Sequence, residues 1–236
     1  APDGTLEERL YAEAARIVDE EADEVRERFP DIKRNVSGYN LDTLVEEADA
    51  GAVNLARLLV GSEGTLGVVT EVTVSLEPRP ETTALGLLTY DSLHDAMADV
   101  APILEHDPAA VEVLDGVLVD LARDLAEFED VIGLLPDRTD TFLLVEFYAD
   151  TDTERRERVE ALLDDRVGDR AFDGLEAYEE SEQADFWKMR KASTPILLSR
   201  TTDAKHIAFV EDVAVPPTYL PEFIADFQQV FEDHAT

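Results

Sequence analysis

The sequence has 236 residues, of which 44% are hydrophobic, and this is enough for one large or two small globular domains. It carries 20 Lys and Arg against 55 Asp and Glu, which gives a formal net charge of −35. Such a charge repels phosphate backbones and anionic lipid. We therefore expect neither nucleic-acid binding nor binding to a membrane surface.

The acidic residues are spread along the whole chain, which is typical of halophilic proteins, in which concentrated salt screens the repulsion. The sequence contains no cysteine, which excludes disulfides, thiolate nucleophiles and iron–sulfur ligands within these residues. Its four histidines lack metal-ligand spacing, so we predict no metal site. No apolar run approaches the length of a transmembrane segment, and we expect a cytoplasmic protein.

The first third of the chain mixes helical and extended patterns. Thr5 and Glu8 have the spacing of a capping box, and the apolar residues that follow predict a helix from Leu6 that ends at Pro30. Short helical turns are predicted over 41–59. The alternation in "LGVVTEVTVSL" (66–76) predicts a strand, and the two prolines of "EPRPE" (77–81) indicate a linker.

Beyond this linker, strands and helices alternate. The predicted strands are 84–90, 109–115, 141–149 and 171–178, and the helices between them are 92–106, 116–126 and 152–166. Without the short helix 116–126 the order is β-α-β-β-α-β, which predicts a ferredoxin-like α+β domain whose antiparallel sheet carries helices on one face. A helix over 179–200, a strand over 206–216 and a helix over 218–234 follow.

The stretch "RLLVGSEGTLGVVT" places glycines at positions 61, 64 and 67 immediately before the predicted strand. Two interpretations remain open for these glycines: a tight turn with a bulge, or a loop whose backbone lies close to a ligand. The spacing matches neither a Walker loop nor the Gly-x-Gly-x-x-Gly fingerprint of dinucleotide-binding folds.

Two longer segments, "VSGYNLDTL" and "NLARLLVGSEGTLGVVTEVTVSLEPRP", resemble the end of the PCMH-type FAD-binding domain of FAD-linked oxidases, the vanillyl-alcohol-oxidase-like flavoproteins. The nearest resemblance is to the D-lactate, glycolate and 2-hydroxyglutarate dehydrogenase branch. It implies that residues 1–80 are the C-terminal part of an FAD-binding domain. It also implies a set of residues beside the flavin: Gly38, Tyr39, Gly61, Glu63, Gly64, Thr65, Gly67 and Val68.

The segments "FWKMRKASTPIL" and "HIAFVEDVAVPPTYLPEFI" resemble the substrate domain of the same family. The resemblance implies that residues 81–236 are this domain, incomplete at its C-terminus, and that Arg190 and Thr194 bind the substrate carboxylate. These two residues share a helix face, and guanidinium pairs with carboxylate in bidentate geometry. The family's pyrophosphate loop and catalytic histidines have no counterpart here, and any iron–sulfur cluster would lie outside this chain. We therefore expect the chain alone to be inactive and free of FAD.

Two functions follow from these patterns. The first is a part of an FAD-dependent 2-hydroxyacid dehydrogenase with a small 2-hydroxyacid substrate and an electron acceptor that the sequence does not identify. The second is a stand-alone ferredoxin-like module that binds a ligand or partner without redox chemistry.

Overall fold

The computed structural model describes residues 4–30, 38–193, 195, 213 and 215–234. Contacts between Cα atoms divide the chain into two compact units, one formed mainly by the residues up to Leu76 and the other beginning at Glu77. Within the described ranges, no helix combines the length and apolarity needed to cross a membrane.

Three helices form in the residues of the first unit that the structure describes: α1 (Leu6–Arg28), α2 (Leu41–Asp49) and α3 (Leu55–Leu58). The predicted capping box is confirmed, because the Thr5 side chain accepts from the Glu8 backbone N–H and the Glu8 side chain accepts from the Thr5 N–H. Val25 of α1 is buried, as are Leu44 and Val45 of α2.

The strand predicted over 66–76 is wrong for this structure, in which these residues are irregular. Val68, Val72, Val74 and Leu76 are 91%, 72%, 65% and 87% exposed. A strand needs a neighbour to pair its backbone N–H and C=O groups. The described part of the first unit consists of helices and loops and offers no such neighbour.

As far as its residues are described, the second unit is built on four strands, β1 (Thr82–Tyr90), β2 (Ala110–Leu114), β3 (Thr141–Ala149) and β4 (Asp173–Ala177). Their spatial order is β2-β3-β1-β4, and every neighbouring pair is antiparallel. This confirms the predicted α+β fold with an antiparallel sheet, because the split β-α-β-β-α-β connections place β3 between β1 and β2.

The helices in the described part of the second unit are α4 (Leu93–Leu104), α5 (Gly116–Arg123), α6 (Glu129–Ile132), α7 (Asp152–Arg166), α8 (Glu180–Lys191) and α9 (Leu220–Asp233). A 3₁₀ turn over Ala126–Phe128 precedes α6, and another over Pro217–Tyr219 precedes α9. The strand predicted over 206–216 falls almost entirely outside the described residues.

Helices cover both faces of the sheet, so the prediction of helices on one face is wrong. One apolar cluster packs α4 and α7 against alternate residues of β1 and β3, including Leu88 and Val145. The other packs α5 and α8 against the opposite residues, including Leu87 and Leu144. The central strands "ALGLLTY" and "TFLLVEF" are apolar without alternation, a pattern typical of strands buried on both faces.

Candidate functional site

The glycine loop of the first unit folds as a tight turn. Gly61, Glu63 and Gly64 have φ values of 77°, 49° and 77°, in the left-handed region that favours glycine. The Thr65 backbone N–H and hydroxyl both donate to the carbonyl oxygen of Ser62, at 2.9 and 2.6 Å. The loop therefore holds its shape through its own hydrogen bonds.

The two sequence segments predicted to lie beside the flavin are in contact. The Tyr39 hydroxyl and the Thr65 hydroxyl lie 3.0 Å apart, although the two residues are separated by 26 positions. The Asn40 side chain also donates to the Arg57 carbonyl oxygen, at 3.4 Å. The structure thus brings Gly38 and Tyr39 to the same place as the glycine loop.

The backbone of this region is open on one side. A Cβ atom added at Gly38, Gly64 or Gly67 would meet no other atom within 4 Å, and Val68 is 91% exposed. Packing within the described residues therefore does not require glycine at position 67, whereas the close approach of a flat ligand would. The Glu63 carboxylate would repel a phosphate group, so this loop suits a neutral, flat ligand surface better than a phosphate.

The second unit presents a stripe of three polar side chains along α8, at Gln183, Trp187 and Arg190. The spacing of i, i+4 and i+7 places them on one helix face. Each interacts with a different strand. Gln183 exchanges hydrogen bonds with Thr83 of β1, Trp187 faces Glu146 of β3, and Arg190 contacts β2.

Arg190, predicted from the resemblance to bind the substrate, forms an ion pair with Glu112. Its Nε donates to Glu112 Oε2 at 2.9 Å, and the two side chains are 38% and 35% exposed. Arg190 lies in the last turn of α8, and the residue before it, Met189, is buried in the core. Thr194, its predicted companion, lies outside the described residues.

Glu146 is half-buried beneath α8. Its burial raises the pKa of the carboxyl group, and the side chains of Trp187 and Tyr148 partly offset this increase because they favour the charged form. The charge of Glu146 in turn raises the pKa of Tyr148. Glu112 lies opposite Leu144 on the adjacent strand, two residues from Glu146, so the two carboxylates are diagonal neighbours on one sheet face.

A polar cleft of about 660 Å³ opens next to this stripe. It is lined by Arg79, Thr83, Glu146, Tyr148, Tyr178 and Gln183, among others. The guanidinium of Arg155 closes one wall, where its Nη1 donates to the backbone oxygens of Thr83 and Tyr178 at 2.9 and 2.7 Å. These bonds give Arg155 a structural role in joining α7 to the sheet.

Sequence reasoning missed Glu112 and Glu146. Each is a single charged residue in an otherwise apolar strand, "AVEVL" and "TFLLVEFYA". A charged residue at such a position is rarely buried without a partner, and this was the available signal. Within the described ranges, no group of three or more potential ligands is arranged to hold a metal ion.

Comparison with known proteins relates this chain to a flavoenzyme family. Residues 79–236 match the family model of the C-terminal domain of FAD linked oxidases. The chain is 30% identical to the D-2-hydroxyglutarate dehydrogenase of Pseudomonas putida over 95% of its own length and 23% of that protein. It is 33% identical to the glycolate oxidase subunit GlcD of Bacillus subtilis over 75% of its own length and 36% of that protein.

A third relative is the D-lactate dehydrogenase of Anaerostipes hadrus, 27% identical over 78% of this chain and 38% of that protein. The chain thus spans about a quarter to two fifths of the length of these relatives. The family model nevertheless covers more than half of the chain. Because the family model matches residues 79–236, and these residues form an antiparallel α+β domain, the chain belongs to the family of FAD-linked oxidases.

Proposed function

We propose that this chain is part of an FAD-dependent 2-hydroxyacid dehydrogenase of the D-lactate, glycolate or 2-hydroxyglutarate type. The observation that carries the proposal is the position of Arg190. A partly exposed guanidinium in the last turn of a packed helix can bind the carboxylate that all these substrates share. Family membership and the relatives' names support the same reaction class.

In this proposal the two parts of the chain have different roles. Residues 1–80 form the C-terminal part of the FAD-binding domain, and residues 81–236 form most of the substrate domain. The residues that would lie against the flavin are Gly38 and Tyr39 together with those of the glycine loop: Gly61, Glu63, Gly64, Thr65, Gly67 and Val68. Contact between Tyr39 and Thr65 supports a single site.

Bound FAD would supply the acceptor for the hydride that leaves C2 of the hydroxyacid. The chain's own contribution is placement. Arg190, with Thr194, would hold the substrate carboxylate and so fix the orientation of C2. The glycines at 64 and 67 would let the main chain approach the cofactor without a side chain between them.

The test uses the full-length enzyme purified with FAD. D-lactate, glycolate and D-2-hydroxyglutarate are added without oxygen, and loss of the visible absorbance of oxidised flavin is followed. We expect at least one of them to reduce the flavin. We expect Arg190→Ala to raise KM. Its kcat/KM should fall by a factor that corresponds to about 2–5 kcal/mol of lost transition-state stabilisation, because a charge-assisted contact with the carboxylate is lost.

The matched control is Lys188→Ala, because Lys188 lies on the same helix and pairs with Glu127 at 2.7 Å in an exposed position. We expect it to leave the kinetics close to those of the parent enzyme. If none of the three acids reduces the flavin, the proposed function is wrong. If one does and Arg190→Ala behaves like Lys188→Ala, Arg190 has no role in substrate binding.

A further inference from the structure

We propose that Glu112 is the positioning residue for Arg190 and holds the guanidinium in the orientation that receives the substrate carboxylate. This inference rests on the proposed function above. It starts from a contact that the fold alone creates, because 78 residues separate Arg190 from Glu112. Glu112 lies in the middle of β2, and Arg190 lies in the last turn of α8.

Both ends of this contact are attached to the same rigid core. Phe186 and Met189 of α8 are 3% and 2% exposed and belong to the cluster that also contains Leu114 and Leu144. Leu114 follows Glu112 on the same face of β2, and Leu144 lies opposite Glu112 on β3. The backbones that carry the two charges therefore have little freedom to move relative to each other.

The contact suits a positioning role better than a stabilising one. The two side chains are more than a third exposed, and ion pairs of this kind contribute little to folding stability because water screens them. An arginine side chain has many rotamers, however, and ordering it on binding lowers affinity. A carboxylate that already restrains the side chain reduces this entropic cost.

The geometry also leaves donors for a second carboxylate. A guanidinium has five N–H donors, and the contact with Glu112 is made through Nε. The pair of terminal nitrogens presents the fork that matches a carboxylate in bidentate geometry. Glu112 would then act through Arg190 and would not touch the substrate itself.

The test compares three substitutions of Glu112 in the full-length FAD enzyme. Glu112→Gln keeps an oxygen acceptor at the same reach, Glu112→Asp keeps the charge but withdraws it by one methylene, and Glu112→Ala removes both. If the position of the acceptor oxygen matters more than its charge, the KM of Glu112→Gln should stay within about threefold of the parent value. Asp and Ala should raise KM about tenfold with kcat changed less than twofold, as expected when ground-state and transition-state binding weaken together.

Two further measurements separate positioning from a structural role. In the Arg190→Ala background, Glu112→Ala should cause no additional rise in KM, because residues that act through one another are not additive. Calorimetric Kd values for the 2-oxoacid product should follow the KM values. Glu127→Ala is the matched control, since Glu127 also pairs with a basic residue of α8, and it should change neither KM nor Kd.

Several outcomes would overturn the inference. One is that Glu112→Ala leaves KM and Kd within twofold of the parent while Arg190→Ala raises both, which leaves the proposed function intact. Another is additive effects of the two substitutions, or a loss of thermal stability in Glu112→Ala that accounts for the loss of binding. If no 2-hydroxyacid reduces the flavin of the parent enzyme, the proposed function fails and the inference fails with it.

Discussion

Asp99 and Arg166 form an ion pair inside the second unit, with Arg166 Nη1 2.8 Å from Asp99 Oδ1. The Asp99 side chain is 0% exposed and that of Arg166 is 12% exposed. The Tyr90 hydroxyl donates to the second oxygen of Asp99, also at 2.8 Å. This network joins α4, β1 and α7, so one buried carboxylate connects three elements of the fold.

Removal of the charge of Asp99 should be strongly destabilising. In Asp99→Asn the largely buried guanidinium of Arg166 loses its buried charged partner and keeps the exposed carboxylates of Asp165 and Asp169, at 3.0 and 3.5 Å. Breaking a buried pair typically costs about 3–5 kcal/mol. We expect a loss of about 3 kcal/mol in the free energy of unfolding, measured by urea denaturation. Asp120→Asn is the control, because the Asp120 side chain is 76% exposed in its pair with Arg123 and should matter by less than about 1 kcal/mol. Equal losses in the two variants would contradict a buried role for Asp99.

Glu146 should make the unit less stable as the pH rises. Its folded-state pKa is raised above the unfolded value by burial, so the folded state holds its proton more tightly. The stabilisation is fully present below the unfolded pKa and is lost as the pH rises through the folded pKa. Glu146→Gln should therefore raise Tm at pH 7 relative to the parent, with little difference at pH values below the unfolded pKa of about 4.3. A difference in Tm that does not change with pH would show that Glu146 does not titrate in this way.

A side chain at Gly174 of β4 should destabilise the second unit. A Cβ there would lie 2.7 Å from Leu163 Cδ2, 3.0 Å from Val167 Cγ2 and 3.1 Å from the Leu87 backbone oxygen. Overpacking of this kind costs about 1–3 kcal/mol, so Gly174→Ala should lower the free energy of unfolding by that amount. Gly67→Ala is the control for stability, because its Cβ would meet nothing within 4 Å, and we expect a change below about 0.5 kcal/mol. A neutral Gly174→Ala would mean that α7 can move away from the strand at little cost.

The net charge of −35 should make folding stability depend on salt. Like charges on the surface repel one another, and the Debye length falls from about 10 Å at 0.1 M to about 3 Å at 1 M. We expect Tm to rise from dilute buffer to molar KCl, measured by circular dichroism. An equal ionic strength of NaCl should have a similar effect if screening is the cause. A Tm that stays constant or falls with salt would contradict the expectation drawn from charge.

Local sequence patterns predicted the helices and strands of the second unit. The limits of β3 (Thr141–Ala149) and α7 (Asp152–Arg166) agree with the prediction to the residue, because continuous apolar runs and helical charge pairs are properties of neighbouring residues. The antiparallel order also followed, since the β-α-β-β-α-β sequence allows few topologies. The two wrong predictions both concerned how an element packs against the rest of the chain. Residues 66–76 have a strand's alternation without a partner strand, and helices pack on both faces of the sheet.

Local patterns were thus sufficient to predict most of the elements, the family resemblance and the candidate residues Tyr39, Thr65 and Arg190. Which residues these candidates contact depends on the tertiary fold. Tyr39 contacts Thr65, and Arg190 pairs with Glu112 across 78 residues. Local periodicity reports which face a residue occupies, but long-range contacts depend on how strands pair and helices pack, and no short pattern encodes that distance.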